Sequence, residues 1–103
     1  MNALPKRYTA SDRIKAFSTD RSSALIEALS SHDALHDLLG DLCGELDTKD
    51  MTDGLRITFK GGDIVHLRPS GNAPELRCYA EADTESRAQA LVAETLALVA
   101  SQY

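Results

Sequence analysis

The residue types best suited to chemistry lie in one short segment of this sequence, residues 68–74 (Arg-Pro-Ser-Gly-Asn-Ala-Pro). The guanidinium of Arg68 offers a planar fork of donors that matches phosphate oxygens. Ser70 adds a hydroxyl donor, and Asn72 adds an amide donor. Gly71 can adopt a positive φ, which allows successive backbone N–H groups to point at one anion. The pattern therefore predicts an anion-binding loop whose ligands are Arg68, Ser70, Gly71 and Asn72.

An ordinary β-hairpin with a polar tip is the alternative interpretation of this segment, because a single arginine or serine is common in turns. Pro69 and Pro74 fix φ at both ends of the loop and exclude a helix there. Apolar and polar residues alternate over 64–68 and again over 75–81, which is typical of half-buried strands. Residue types alone therefore leave the polar turn and the anion site both open.

Hydrophobic periodicity predicts the elements that must hold this loop. Short oxygen side chains at residues 18–20 and at Asp83 or Thr84 are typical of helix starts. Leucines spaced i, i+3, i+4 and i+7 predict a further helix over about 33–43, separated from the first by two serines at 30–31. The last helix should turn inward a stripe of Ala88, Leu91, Val92, Thr95 and Val99. The predicted strands are 12–17, 45–51, 55–59, 64–68 and 75–81.

Three of these strands place apolar side chains on one face and mostly polar side chains on the other. Helices can therefore cover only the apolar face without burying charges. The predicted fold class is α+β, with a mainly antiparallel four- to five-stranded sheet and helices on one face. The apolar face should comprise Leu55, Ile57, Phe59, Val65, Leu67, Leu76 and Cys78.

The composition limits the classes of partner. The chain has 103 residues, 43% of them hydrophobic, which suits one globular domain with a modest core. Its net charge of −5 disfavours nucleic acid and anionic membranes as partners. No apolar run approaches the roughly 20 residues of a membrane span, and no signal peptide is visible. Two widely separated cysteines fit a reducing compartment, so we expect a cytoplasmic protein.

Other chemically capable residues have ordinary structural interpretations. His66 shares a strand face with Arg68 and is either a proton-transfer group or, as we favour, a solvated strand histidine. Cys78 falls on the apolar face, which favours a small hydrophobe over a nucleophile. His32 and His36 have a metal-ligand spacing on a helix, but no third ligand is in view, so we predict no metal site.

Charged residues beside the loop also allow two interpretations. Arg77 projects to the same sheet face as Arg68, where it either adds positive potential near the loop or pairs with Glu75 or Glu81. We favour the ion pair. The adjacent charges at 12–13 and at 20–21, both Asp-Arg, are expected to be surface charges.

The segment from Arg68 to Arg77 resembles the phosphate-binding loop in the C-terminal domain of the α-D-phosphohexomutases. Its Gly-Asn-Ala-Pro-Glu-Leu-Arg-Cys-Tyr form is most similar to that of bacterial phosphomannomutases. Residues 7–14 resemble the segment that leads into this domain, and residues 53–57 resemble its inner strand. The resemblance implies that residues 1–11 are an interdomain linker or leading segment and that residues 12–103 are the phosphate-binding domain.

This resemblance implies an activity and a fold. Enzymes of the family interconvert hexose 6-phosphates and hexose 1-phosphates, with mannose or glucose as the sugar, through a phosphoserine and with the help of Mg²⁺. The fold of their C-terminal domain is similar to that of the TATA-binding protein. This domain grips the phosphate that is not transferred, and by position the resemblance assigns that grip to Arg68, Ser70, Gly71 and Asn72.

The catalytic groups of the family are absent from this sequence. It contains no Thr-Ala-Ser-His-type phosphoserine loop, no Asp-Gly-Asp-Gly-Asp-Arg metal loop and no Gly-Glu-x-Ser sugar-reading loop. The resemblance therefore implies no catalytic residue and no cofactor in this chain, with Mg²⁺ bound by the remaining domains of the parent enzyme. We expect the chain alone to bind phosphate weakly and to catalyse nothing. A free-standing anion-binding regulatory module is the alternative.

Overall fold

The fold is seen in a computed structural model, which describes residues 8–15, 18–52, 54–69 and 74–102. These residues form one antiparallel sheet in the order β1-β5-β4-β3-β2, together with three helices. The predicted α+β class is confirmed. The elements in chain order are β1 (Tyr8–Lys15), α1 (Thr19–Ala28), α2 (His32–Cys43), β2 (Leu46–Asp50), β3 (Leu55–Phe59), β4 (Ile64–Pro69), β5 (Glu75–Ala82) and α3 (Glu85–Gln102).

The core lies between one face of the sheet and the helices. α3 packs on β1 and β5, α1 packs on β4 and β5, and α2 packs on β2. The described helices thus all cover the same face, as the alternation of apolar and polar residues predicted. Each side chain of the predicted apolar face is at most 1% exposed, namely Leu55, Ile57, Phe59, Val65, Leu67, Leu76 and Cys78.

Short oxygen side chains cap the three described helices, and for α1 and α3 they do so where the sequence indicated helix starts. The Ser18 hydroxyl accepts a hydrogen bond from the backbone N–H of Arg21 at 3.2 Å, and Ser31 caps α2 in the same way. The hydroxyl of Thr84 accepts from the backbone N–H of Arg87 at 3.1 Å, so Thr84 rather than Asp83 precedes the last helix. The predicted inward stripe of α3 is also confirmed, since all five of its residues are buried.

The two edge strands carry the weakest sequence signals. Among the described strands, β2 pairs only with β3, and most of its residues are exposed, yet it matches the strand predicted over 45–51. β1 begins at Tyr8, four residues earlier than the strand predicted over 12–17, whose last two residues lie outside the described residues. Residues 8–11, assigned from sequence to the leading segment, belong to this strand. An edge strand buries few side chains, so a run such as Tyr-Thr-Ala-Ser shows little alternation.

Candidate functional site

Arg68 lies near the end of β4, the central strand of the sheet. Its neighbours Val65 and Leu67 are fully buried against the helices, so the alternation along β4 turns His66 and Arg68 to the opposite face. We call this face, which the described helices leave uncovered, the open face. Arg68 is half-buried there, and it lies on the most internal strand of the sheet.

Strand register places two more arginines beside Arg68. Arg68 pairs with Arg77 across β4 and β5, and Arg77 pairs with Arg13 across β5 and β1. Because adjacent strands lie about 4.8 Å apart, the three side chains form a row across three strands on the open face. We call Arg68, Arg77 and Arg13 the arginine row. Like charges directly opposite one another destabilise a sheet, so this row requires a counter-charge.

Glu75 supplies that counter-charge on the open face. Its Oε1 lies 3.4 Å from Nε of Arg13, and its Oε2 lies 3.9 Å from Nε of Arg77. The side chain of Glu75 is only 17% exposed, whereas both arginines are 49% exposed. The predicted ion pair of Arg77 with Glu75 is confirmed. Arg13 is half-exposed, as expected of a surface charge, and it is also the second partner of the same carboxylate.

Arg77 has a further neighbour on its own strand. The Tyr79 hydroxyl accepts a hydrogen bond from the guanidinium and raises the pKa of Arg77 above its ordinary value, and the charge of Glu75 adds to that shift. Arginine is a cation at physiological pH in any case, and these contacts favour that state further. The positive charge of Arg77 persists beside Arg68 even though Glu75 offsets part of it.

The predicted anion loop connects the ends of β4 and β5. Pro69 pairs with Leu76, which fixes the separation of the strands where the loop begins. Residues 70–73, and with them Ser70, Gly71 and Asn72, lie outside the described residues, so their roles stay a prediction. The structure thus locates the base of the loop beside Arg68, Arg77 and Glu75.

A second backbone segment lies against Arg68 from the other side. Gly54, just before β3, has a φ of +80°, and a Cβ atom at this position would lie 3.1 Å from Cγ and 3.2 Å from Cα of Arg68. It would also clash with the carbonyl oxygen of Leu67. Only glycine fits this close approach and this conformation without strain. The turn before β3 therefore helps to hold the backbone of Arg68.

His66 lies on the open face, one pleat away from Arg68. It pairs with Tyr79 across β4 and β5, and the two ring centroids are 6.0 Å apart with an interplanar angle of 47°. Both rings line a shallow concavity of about 500 Å³, together with Arg56 and Glu81 among others. A proton-transfer role for His66 stays untested, since no reacting group is identified beside it.

The two cysteines are buried and free of disulfide bonds. Cys78 faces the core, and burial raises its pKa to about 12. Burial likewise raises the pKa of Cys43 to about 12, with the charge of Asp63 as a smaller cause. A thiol that holds its proton so strongly is a poor nucleophile. The prediction that Cys78 acts as a small hydrophobe agrees with this environment.

The described residues offer little for other classes of ligand. Among them, no group of three or more His, Cys, Asp or Glu side chains could hold a metal ion. None of the described helices combines the length and hydropathy that a membrane-spanning helix needs. Within the described part of the chain, the arginine row at the base of the loop is the feature best suited to an anionic ligand.

Comparison with known proteins decides the family. Residues 15–98 match the sequence model of a family described as phosphoglucomutase/phosphomannomutase, C-terminal domain. The chain belongs to this family. It is 46% identical over 101 residues to a phosphomannomutase of Sinorhizobium fredii (strain NBRC 101917 / NGR234), an alignment that covers 98% of the chain and 21% of that relative. It is 43% identical over 100 residues to a phosphomannomutase of Salmonella muenchen, covering 96% and 21% respectively.

This C-terminal domain thus spans about a fifth of the length of the curated relatives that it matches. The family assignment agrees with the resemblance carried by the loop sequence from Arg68 to Arg77. Sequence reasoning missed the contact of Arg13 with Glu75, because that contact depends on the pairing of β1 with β5. The alternation of Arg13 with apolar Ile14 was the one available signal, and it is too short to fix a register.

Proposed function

We propose that this chain is the phosphate-binding C-terminal domain of a phosphohexomutase that interconverts hexose 6-phosphate and hexose 1-phosphate. The domain grips the phosphate that is not transferred, through Arg68, Ser70, Gly71 and Asn72. The family match and the two phosphomannomutase relatives support the parent activity. The observation that carries the site is the position of Arg68 on the central strand, at the base of the loop and opposite Arg77.

The chemistry of the grip follows from the donors. A phosphate ester carries about −1.5 to −2 charges near neutral pH and accepts several hydrogen bonds at once. Arg68 supplies a two-pronged, charge-assisted contact, and the loop backbone and the side chains of Ser70 and Asn72 supply neutral donors. Because the gripped phosphate is remote from the bond that breaks, its binding energy serves to close the cleft and orient the reacting end.

The remaining chemistry belongs to the other domains of the proposed parent. The phosphoserine and the sugar-contacting groups lie there, and we assign no catalytic residue to this chain. The Mg²⁺ of the family finds no suitable ligand group among the described residues, so we assign its binding to those other domains as well. The two free cysteines fit a reducing compartment, which supports a cytoplasmic enzyme. Its partners are the hexose phosphate and the other domains of the same enzyme, with no role for nucleic acid or membranes.

NMR titration of the chain with inorganic phosphate tests the proposed site. We expect the largest amide shifts at Ser70, Gly71 and Asn72. Arg68→Gln should abolish these shifts, whereas Arg56→Gln, which removes the same charge from β3 on the open face, should preserve them. Shifts concentrated on α2, over 35–42, would show that the site has been placed wrongly.

A free-standing anion-binding module is the alternative, and it makes the same phosphate titration prediction. The two functions differ in whether further domains of the same polypeptide accompany this one. Reading the coding sequence upstream of Met1 separates them, because the parent enzyme requires in-frame serine and metal loops. A coupled assay on mannose 1-phosphate should show no turnover by the chain alone, and turnover above background in a preparation free of contaminating mutase would contradict the proposal.

A further inference from the structure

Glu75 lies among basic residues on the open face. Its carboxylate lies near the guanidinium groups of Arg13 and Arg77, and Lys15 is its backbone pairing partner across β5 and β1. Glu75 is the first residue of β5 and follows the loop directly. The other acid of β5 on the open face, Glu81, lies six residues further on, about 20 Å away along the strand. The carboxylate thus lies next to the loop, where its negative charge would repel an anionic ligand bound there.

We propose that Glu75 acts as a built-in competitor of the ligand, weakening the grip on phosphate so that the phosphate can leave. This inference rests on the phosphate-binding role proposed above and concerns the regulation of that same site. The carboxylate engages the guanidinium of Arg77, and its charge opposes that of a phosphate bound at Arg68. An enzyme that must release its product gains nothing from an anion site that holds too tightly, because product release often limits turnover.

The distances give the direction of this effect. With Glu75 ionised, two anions compete for the positive charge of Arg77. One is the carboxylate at 3.9 Å, and the other is any anion bound at Arg68 one strand away. Removing the negative charge of Glu75 while keeping its shape ends that competition at Arg77. Glu75→Gln keeps an oxygen that can still accept from Arg13, so the positions of the arginines are preserved while the repulsion is lost.

Arg13 acts through Glu75 in this scheme. Its Nε lies 3.4 Å from the carboxylate, so it screens part of the negative charge from the loop. Arg13→Gln should therefore weaken phosphate binding, the opposite sign to Glu75→Gln. In the Glu75→Gln background the loss from Arg13→Gln should be clearly smaller, because there is no longer a charge to screen. This coupling distinguishes a positioning residue from a cation that contacts the ligand itself.

Phosphate titration of the 103-residue chain at low ionic strength measures the effect. We expect Glu75→Gln to bind inorganic phosphate about three- to tenfold more tightly than the unmodified chain. Glu75→Asp keeps the charge and should not tighten binding. Glu45→Gln is the matched control, since Glu45 forms an exposed ion pair with Lys60 at 3.3 Å in another part of the surface. It changes the net charge equally and should alter binding less than twofold.

Each result bears on the inference. Tighter binding by Glu75→Gln alone, shrinking in added salt, supports it. Equal or weaker binding by Glu75→Gln overturns it, as does equal tightening by Glu45→Gln, which would be an effect of net charge. If Glu75→Gln does not fold, the phosphate affinity of Arg13→Gln is the test. Unchanged or tighter phosphate binding by Arg13→Gln overturns the inference. If the unmodified chain shows no phosphate shifts at all, the proposed function fails first and this inference fails with it.

Discussion

The guanidinium of Arg87 in α3 donates to the carboxylate of Asp63 in the turn between β3 and β4, with Nη2 at 2.8 Å and Nε at 3.2 Å from Oδ2. The same Nη2 lies 2.6 Å from the carbonyl oxygen of Leu42, near the end of α2. The hydrogen bond to Asp63 raises the pKa of Arg87 above its ordinary value. One side chain therefore joins three elements that lie far apart in the sequence.

Removing this contact should destabilise the domain. Arg87→Ala leaves the Asp63 carboxylate, only 16% exposed, and the carbonyl of Leu42 without their donor. We expect the free energy of unfolding to fall by about 1–3 kcal/mol. The lower part of this range is expected because solvent partly screens Arg87. Lys60→Ala, which removes an exposed ion pair, should cost less than about 1 kcal/mol. Equal losses in urea denaturation would contradict a special role for Arg87.

The contact of Gly54 with the backbone of Arg68 gives a prediction that links stability to the site. Gly54→Ala places a Cβ against Leu67 and Arg68 at a φ of +80°, so we expect a loss of about 1–3 kcal/mol and weaker phosphate binding. Gly61→Ala is the control, because among the described atoms none lies within 4 Å of its Cβ position. Urea denaturation and phosphate titration of both variants measure the difference. Equal stability of the two variants would refute the proposed close approach.

The fold was predictable from the sequence wherever burial of one face imposes a periodic spacing of apolar residues. Leu55, Ile57 and Phe59 alternate because one face of β3 is completely buried, and the leucines of α2 repeat with the helical period for the same reason. β1 was misplaced because an edge strand with exposed polar residues has no such constraint. The ion pair of Arg87 with Asp63 was not predicted, since no local sequence pattern indicates a contact between residues 24 positions apart.

The site was predictable in part. The loop sequence at 68–74 indicated the family, which the comparison confirms, whereas the role of Arg68 as a phosphate ligand stays a prediction. The shared face of Arg68 and Arg77 was predicted, but the place of Arg13 in the arginine row was not, since its proximity to Arg77 arises only when β1 pairs with β5. Strand register depends on the packing of the whole sheet, and a shift of one residue would turn Arg13 to the other face.

The buried thiols predict how stability depends on pH. The pKa of Cys78 is about 12 in the folded chain, against 9.0 for an exposed thiol. The folded state therefore keeps protons that the unfolded state loses, and the free energy of unfolding should decline as pH rises from about 9 to 12. Cys43 contributes in the same direction.

Comparison with a variant isolates this effect from other groups that titrate at alkaline pH. Cys78→Ala should be less stable at pH 8 because it leaves a small cavity, yet its decline with pH should be shallower, by up to about 1.4 kcal/mol per pH unit. Urea denaturation under reducing conditions between pH 8 and 11 measures both slopes. Parallel declines would show that Cys78 ionises equally easily in both states.

The last prediction concerns Arg68→Lys in the parent enzyme. Lysine keeps the charge but loses the planar fork, so one of two charge-assisted bonds to phosphate is lost, at about 1.5–3 kcal/mol. This corresponds to a reduction of about 10- to 150-fold in kcat/KM. KM should rise and kcat should also fall, because part of the binding energy of the gripped phosphate is used to orient the reacting end.

Two further variants distinguish the phosphate grip from a catalytic histidine on the same strand. Gly71→Val should be as harmful as Arg68→Lys, since a β-branched residue resists the positive φ that the loop sequence implies. His66→Ala should have a much smaller effect, because His66 lies against Tyr79 rather than in the loop. Steady-state kinetics of the three variants decides the question. If Arg68→Lys stayed within about twofold of the parent while His66→Ala abolished activity, the functional group on β4 would be the histidine.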